Sequence, residues 1–185
     1  MDAGIRFNIV SGVHTASAGA PPEDPRLRQV LTQYVGVMQR LVQALQAQQQ
    51  RGVPSGTRVD QEELRVIELV NGVRQALGIP PVQWHAGLAQ AALGHATHMA
   101  SVGRMAHDGL GNGTAESRVR AVGFRGAWGE NVAAGQRDAF TVVRDWMRSP
   151  GHLRNILDPR WNLIAVERVR GVDGRIYWAQ NFGRS

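Results

Sequence analysis

The feature that most constrains this chain is the order of its two hydrophobic periods. From Asp60 to Arg148 apolar residues recur at helical spacing, and two strand-like runs appear only near the end. Those runs, "NLIAVERV" and "RIYWAQNF", are joined by the turn-rich "RGVDGR", which is the pattern of a β-hairpin. Helices first and a hairpin last, without βαβ alternation, predict an α+β fold, a layered α-β-α arrangement, and not a doubly wound parallel sheet.

The helical segments carry their own punctuation. Asp60 is placed to cap a helix carrying Leu64, Ile67, Val70, Val73 and Leu77, and Gly78 with two prolines stops it. A second helix, "AGLAQAALGHATHMASVG", sets Leu88, Ala92, His95 and Met99 on one face. The glycine-rich "HDGLGNGT" leads into a short helix around "AESRVRAVG", then into "WGENVAAG". In "RDAFTVVRDWMRS" the buried face is predicted to be Phe140, Val143, Trp146 and Met147, before a Ser-Pro-Gly break.

The chain divides near residue 58 into an N-terminal part, 1–58, and a domain over 59–185. The first part opens with a short extended piece and a proline-containing linker over 1–24. A helix over about 25–50 follows, with Asp24 as cap and Pro25 in the first position. Leu27, Leu31, Tyr34, Met38, Leu41 and Leu45 alternate in steps of four and three, a heptad seam. Its flanks are apolar too, which fits either a homo-oligomeric stalk or a helix docked on its own domain. The segment 1–24 is then available for contact with a larger assembly.

Composition excludes several classes. The hydrophobic share of 43% is enough for a buried core. There is no cysteine, so stability comes from packing, association or a metal. The net charge is +6 and all 21 basic residues are arginine, but they are scattered among acids, and nucleic acid is not the expected partner. No run approaches the roughly 18 apolar residues of a membrane span. Arg6, Asn8, Ser11 and His14 interrupt the first apolar stretch and Asp2 stands where a basic residue belongs, so no signal peptide is expected.

Three polar positions beside glycines stand out: His107 in "MAHDG", Glu130 in "GENVA" and His152 in "SPGH". Two imidazoles and a carboxylate are the parts of an open metal site, in which the carboxylate ligates or takes a proton from bound water. Each also has a plain structural role open to it: a loop hydrogen bond, a turn cap, a cap after the proline. His95 and His98 stand three apart on one helix, a spacing that can share a metal. His95 falls on the apolar face as a hydrogen-bonded core residue would, and His98 is expected at the surface.

From Glu63 to Gly183 the chain resembles the CAP superfamily, in its bacterial SCP-like extracellular branch. The resemblance rests on "VNGVRQALGIPPVQW", through Asn71, Arg74, Gly78, Pro81 and Trp84, and on "LAQAALGHATHMA". "AHDG", "GENVAAG", "VVRDWMRSPGHLRNIL" and "GRIYWAQNFG" follow in family order. It implies an α-β-α sandwich with a cavity lined by His107, Glu130 and His152, the two histidines as ligands of a divalent metal, zinc first. For Gln180 it implies a side chain pointing into that cavity, with packing on a strand face as the alternative. Animal and plant members of the superfamily carry a second glutamate where this chain has Ser149; its absence is usual in the bacterial branch, and it removes a ligand or base from the cavity. The family's Gly-Val-Gly strand reads "IAV" here, followed by Glu167, which would face solvent or the cavity mouth.

Two functions follow as expectations. One is an extracellular or surface-displayed binding domain for a glycan, lipid or protein, mounted on the N-terminal helix, as in a fibre, virion or injection particle. The other is a metal-dependent hydrolase using the His107, Glu130 and His152 set, with Glu130 activating water. No Gly-x-Ser-x-Gly or Cys-His nucleophile is present.

Overall fold

A computed structural model describes residues 60–108 and 110–185. The expected heptad helix, the segment before it and the linker after it lie outside the described residues.

Helix α1, Gln61–Ala76, starts where Asp60 accepts from the Glu62 amide at 3.0 Å, and Glu62 and Glu63 sit favourably in its first turn. It ends at Gly78, whose φ of 71° lets the Ile79 amide return to the Arg74 carbonyl. Its buried face is Val66, Leu69, Val70 and Val73, while Leu64 is exposed. The predicted stripe is therefore rotated away from Leu64. The short strand β1, Gln83–Trp84, leads to helix α2, Ala86–Val102, which His85 caps through Nδ1. Leu88, Ala92, His95 and Met99 are buried as expected.

Helix α3, Ala115–Ala121, is capped by Thr114 and followed by strand β2, Ala127–Ala134. Helix α4, Ala139–Arg148, runs directly into helix α5, Pro150–Leu157. The Ser-Pro-Gly sequence thus starts a helix as well as ending one, because proline suits the first helical position. Strands β3, Leu163–Arg170, and β4, Ile176–Arg184, form the expected hairpin.

The sheet order is β1-β3-β4-β2, with β1 parallel to β3 and the other pairs antiparallel. Strand β4 is central and buried from Ile176 to Gly183. On one face Trp178 and Phe182 meet Val66, Val70, Val143, Trp146 and Ile156 of α1, α4 and α5. On the other, Tyr177, Ala179 and Val132 meet Ala92, Ala96 and Met99 of α2. This is the α-β-α sandwich, and it leaves β2 as an outer strand with helices on both sides.

One buried side chain ties distant segments of these layers together. Arg74 is wholly buried and donates to the carbonyls of Pro80, Ile156, Asp158 and Trp161 at 2.8–3.1 Å. Ala165, at the family's small-residue position, is fully buried with Leu88 and Ala89 of α2. Glu167 lies against Glu63, on the strand β3 that β4 separates from β2. It is therefore not at the mouth of the Glu130 site.

Candidate functional site

Strand β2 places Glu130 inside the protein, with its side chain only 3% exposed. A carboxylate so buried needs compensation. Arg118 of α3 supplies it, with Nη2 2.9 Å from Oε2 and 3.2 Å from Oε1. His107 lies 2.8 Å from Oε1 through Nδ1. Burial alone pushes the Glu130 carboxyl up, but the His107 hydrogen bond and the Arg118 charge outweigh it and hold it below the ordinary range.

An ionised Glu130 can only accept, so Nδ1 of His107 is the donor in this bond. Arg118 also donates to the His107 carbonyl at 2.8 Å and the Gly113 carbonyl at 2.9 Å, fixing the loop that carries the ring. His152, in the first turn of α5, faces His107 with ring centroids 6.5 Å apart. Burial and the nearby His107 lower its pKa to about 4, so its ring is neutral at ordinary pH.

Two asparagines hold the halves of this site in register. Asn131, beside Glu130, donates to the His152 carbonyl at 3.3 Å and to Gln180 Oε1 at 2.8 Å. Asn155 of α5 donates to Asn131 Oδ1 at 2.8 Å and to the Glu130 carbonyl at 3.1 Å. A Cβ on Gly129 would stand 3.2 Å from Asn155 Oδ1 and from the Trp161 ring, so glycine there allows the close approach of α5.

The structure thus brings together His107, Glu130 and His152 from a loop, a strand and a helix. It does not bring Gln180 to them. Gln180 stands opposite Asn131 in the β2–β4 register, so it points to the other side of the sheet from Glu130. Asn181 is the residue opposite Glu130, and it donates to the Leu88 carbonyl. Ser149 joins α4 to α5, with its backbone bonded to Trp146 and Leu153 and no side-chain capping bond.

Sequence reasoning missed Arg118, Asn131 and Asn155. The one available signal for Arg118 was a carboxylate in an otherwise buried stretch, which requires a cation from elsewhere. Both asparagines stand inside motifs quoted for their neighbours.

His95 is fully buried, donates from Nε2 to the Ala106 carbonyl at 2.9 Å and accepts from Asn112 at Nδ1. Both nitrogens are committed, so it is a core residue, and burial lowers its pKa. His98 is half-buried, not exposed, because the glycine-rich loop folds over it and takes its Nε2 hydrogen bond at the Leu110 carbonyl.

The donor set for a metal is short. Among the described residues no three His, Cys, Asp or Glu side chains are grouped to hold an ion. Zinc sites use three or four protein ligands, whereas the free nitrogens here belong to His107 and His152 and the Glu130 oxygens face Arg118 and His107.

A four-stranded sheet between helical layers, with a His, Glu and His trio at its outer strand, defines a domain of the CAP, or SCP-like, class. The chain belongs to the cysteine-rich secretory protein family, CAP, whose pattern matches residues 67–182. It is 34% identical to YkwD of Bacillus subtilis (strain 168) over 122 residues, 65% of this chain and 46% of that protein. It is 30% identical to the membrane protein YlbC of the same organism over 122 residues, 65% of this chain and 34% of YlbC. The chain therefore spans less than half the length of these relatives.

Among solved structures, an extracellular protein containing an SCP domain from Bacillus anthracis str. Ames has a TM-score of 0.61 at 25% identity, covering 71% of this chain and 45% of its own. An outer surface protein from Borrelia burgdorferi has a TM-score of 0.61 at 20% identity, covering 70% of this chain and 98% of its own. The second likeness is one of fold.

Proposed function

We propose that residues 60–185 form an extracellular or surface-displayed CAP-type binding domain, and that the N-terminal part mounts it as an oligomerising or anchoring stalk. The observation that carries the binding reading is the neutralisation of Glu130 by Arg118 and His107. A carboxylate held in an ion pair below its ordinary pKa is a poor base at neutral pH. What remains for a ligand is the partly exposed His107 ring and the neutral His152 ring beside it.

The neutral His152 ring offers one donor and one acceptor, and Nε2 of His107 is the ring atom not bound to Glu130, a set that suits the hydroxyls and amides of a glycan, lipid headgroup or peptide. The test is co-sedimentation of the full chain with cell-wall sacculi and, separately, with lipid vesicles. Binding to either that is lost in His107→Ala and His152→Ala supports the reading. Substrate turnover dependent on Glu130 would replace it. The mounting reading predicts an oligomer of the full chain by light scattering, and a monomer would overturn it.

A metal-dependent hydrolase is the second reading. It draws on the Nδ1–H to carboxylate bond, which leaves Nε2 of His107 free as it is in many metal-ligating histidines. Calorimetry with zinc decides it: binding lost in His152→Ala supports it, and no binding by the native chain ends it.

A further inference from the structure

A second polar feature lies at the other end of β2. A cleft of about 360 Å³ opens between the end of that strand and the β3–β4 hairpin, lined by Gly135, Arg137, Arg170, Gly174, Arg175 and Ile176. Three of its six lining residues are arginine and none is acidic. Gly135 stands five residues beyond Glu130, roughly 16 Å along a strand, so this is a separate place from the histidine site.

The three guanidinium groups are not equally committed. Arg175 is bound to Asp173 at 2.7 Å and to the Gly103 carbonyl at 2.8 Å, and lies over the Tyr177 ring. Arg170 donates from Nη1 to the Gly174 carbonyl at 2.9 Å, a neutral partner. The Arg137 side chain has no partner among the described residues, although its carbonyl accepts from Arg168. Asp173 is paired with Arg175 and Tyr177, Asp60 with Arg168 and Asp145 with Arg144, while Asp138, next to Arg137 in the chain, accepts from the Thr141 amide as the cap of α4. Neither Arg137 nor Arg170 is in an ion pair among the described residues, and both line one opening.

The walls leave room for a ligand to approach them. A Cβ placed on Gly135 or Gly174 would meet nothing within 4 Å, so there is open space beside both glycines of the lining. The volume is at the lower end of small-molecule sites.

We propose that this cleft binds a phosphate group, held between Arg137 and Arg170 with Arg175 as a preset wall. Guanidinium forks match phosphate oxygens in pairs. A carboxylate would balance one of the two free charges, whereas a terminal phosphate balances both. The shared chemistry is a phosphate monoester or polyphosphate end, offered by a soluble compound or by a lipid headgroup. Binding here is independent of the histidine site.

The experiment uses the full chain, with two probes: calorimetry with tripolyphosphate, and flotation with phosphatidylcholine vesicles containing phosphatidic acid. One-to-one binding of tripolyphosphate, vesicle binding, or both supports the proposal, provided Arg137→Gln and Arg170→Gln each weaken it roughly tenfold. The double variant should abolish it. Binding to tripolyphosphate alone identifies a soluble ligand, and to vesicles alone a headgroup. Arg154→Gln, an exposed arginine of α5, is the control and should leave binding unchanged. Binding by neither probe overturns the proposal, as does a control that weakens binding as much as the double variant. The Arg137 side chain makes no hydrogen bond or ion pair among the described residues, so Arg137→Gln should keep the native melting midpoint and remains decisive if the double variant fails to fold.

Discussion

Replacing Arg118 by Met should expose how the Glu130 site is held together. The side chains of Arg118 and Glu130 are 8% and 3% exposed, so the variant leaves a buried carboxylate with only His107, at 2.8 Å, and the buried His95, at 3.9 Å, beside it. Breaking one side of a buried pair costs about 3–5 kcal/mol. Part of that loss belongs to the Gly113 and His107 carbonyls, which also lose their donor, and this part does not titrate.

The charge-dependent part has a definite pH signature. In the native protein the Glu130 carboxyl sits below its ordinary value, so its contribution is present above the unfolded carboxylate pKa and is lost as pH falls through the folded one. Without Arg118, burial dominates and lifts the carboxyl, so lowering the pH neutralises it and shrinks the deficit of the variant. Urea unfolding followed by tryptophan fluorescence at pH 7.5 and pH 5 measures both. Adding Glu130→Gln completes a double-mutant cycle, and a coupling of about 2 kcal/mol or more is expected. A deficit under about 0.5 kcal/mol at neutral pH, within the range of an ordinary surface substitution, would refute the reasoning. So would additivity of the two substitutions.

Three further outcomes are expected. Arg74→Met strips donors from four carbonyls of otherwise distant segments, and should cost about 3–5 kcal/mol with no pH dependence between pH 6 and pH 8, measured by urea unfolding. Burial and the nearby Glu63 and Asp60 raise Glu167 to about 7, so native stability should fall as pH rises from about 4.5 through 7. Glu167→Gln should then be more stable than the native chain at pH 8, by about 1–2 kcal/mol after allowance for its partial exposure. The His152 ring should stay neutral down to pH 4, with its stabilising contribution present above pH 6.5 and lost as pH falls through about 4; NMR titration of the ring carbon protons checks it.

Local rules made some features legible and hid others. Asp60 as cap, Gly78 as stop and "RGVDGR" as hairpin turn each act within a few residues, and all three appear where the sequence puts them. Strand β2 carried no alternation because it is covered on both faces from Glu130 to Ala133. Helix α5 was hidden by Pro150, since proline after a helix reads as a break whether or not a second helix starts there. Of the site, His107, Glu130 and His152 were legible through their motifs. The Arg118 pairing was not, because no local pattern says which of 21 arginines must enter the interior. Gln180 was left between the cavity and packing on a strand face, and strand parity sets it on the face opposite Glu130.

A chain without cysteine has to close its long loops by other means, and the means chosen here tie stability to the site. Arg74 reaches carbonyls 82 to 87 residues away, and Arg168 pairs with Asp60 across 108. Asn131 and Asn155 perform the same cross-linking between β2 and α5, yet the backbone atoms they hold are those of Glu130 and His152. A carbonyl deprived of such a partner in the interior is costly, so these contacts persist only if all of them are made together. The spacing of the two imidazoles is thus set by the network that joins a helix to an outer strand. Substituting Asn155 should therefore shift the His152 ring resonances and lower the melting midpoint together, while His107→Ala, at the partly exposed rim, should change ligand binding far more than stability.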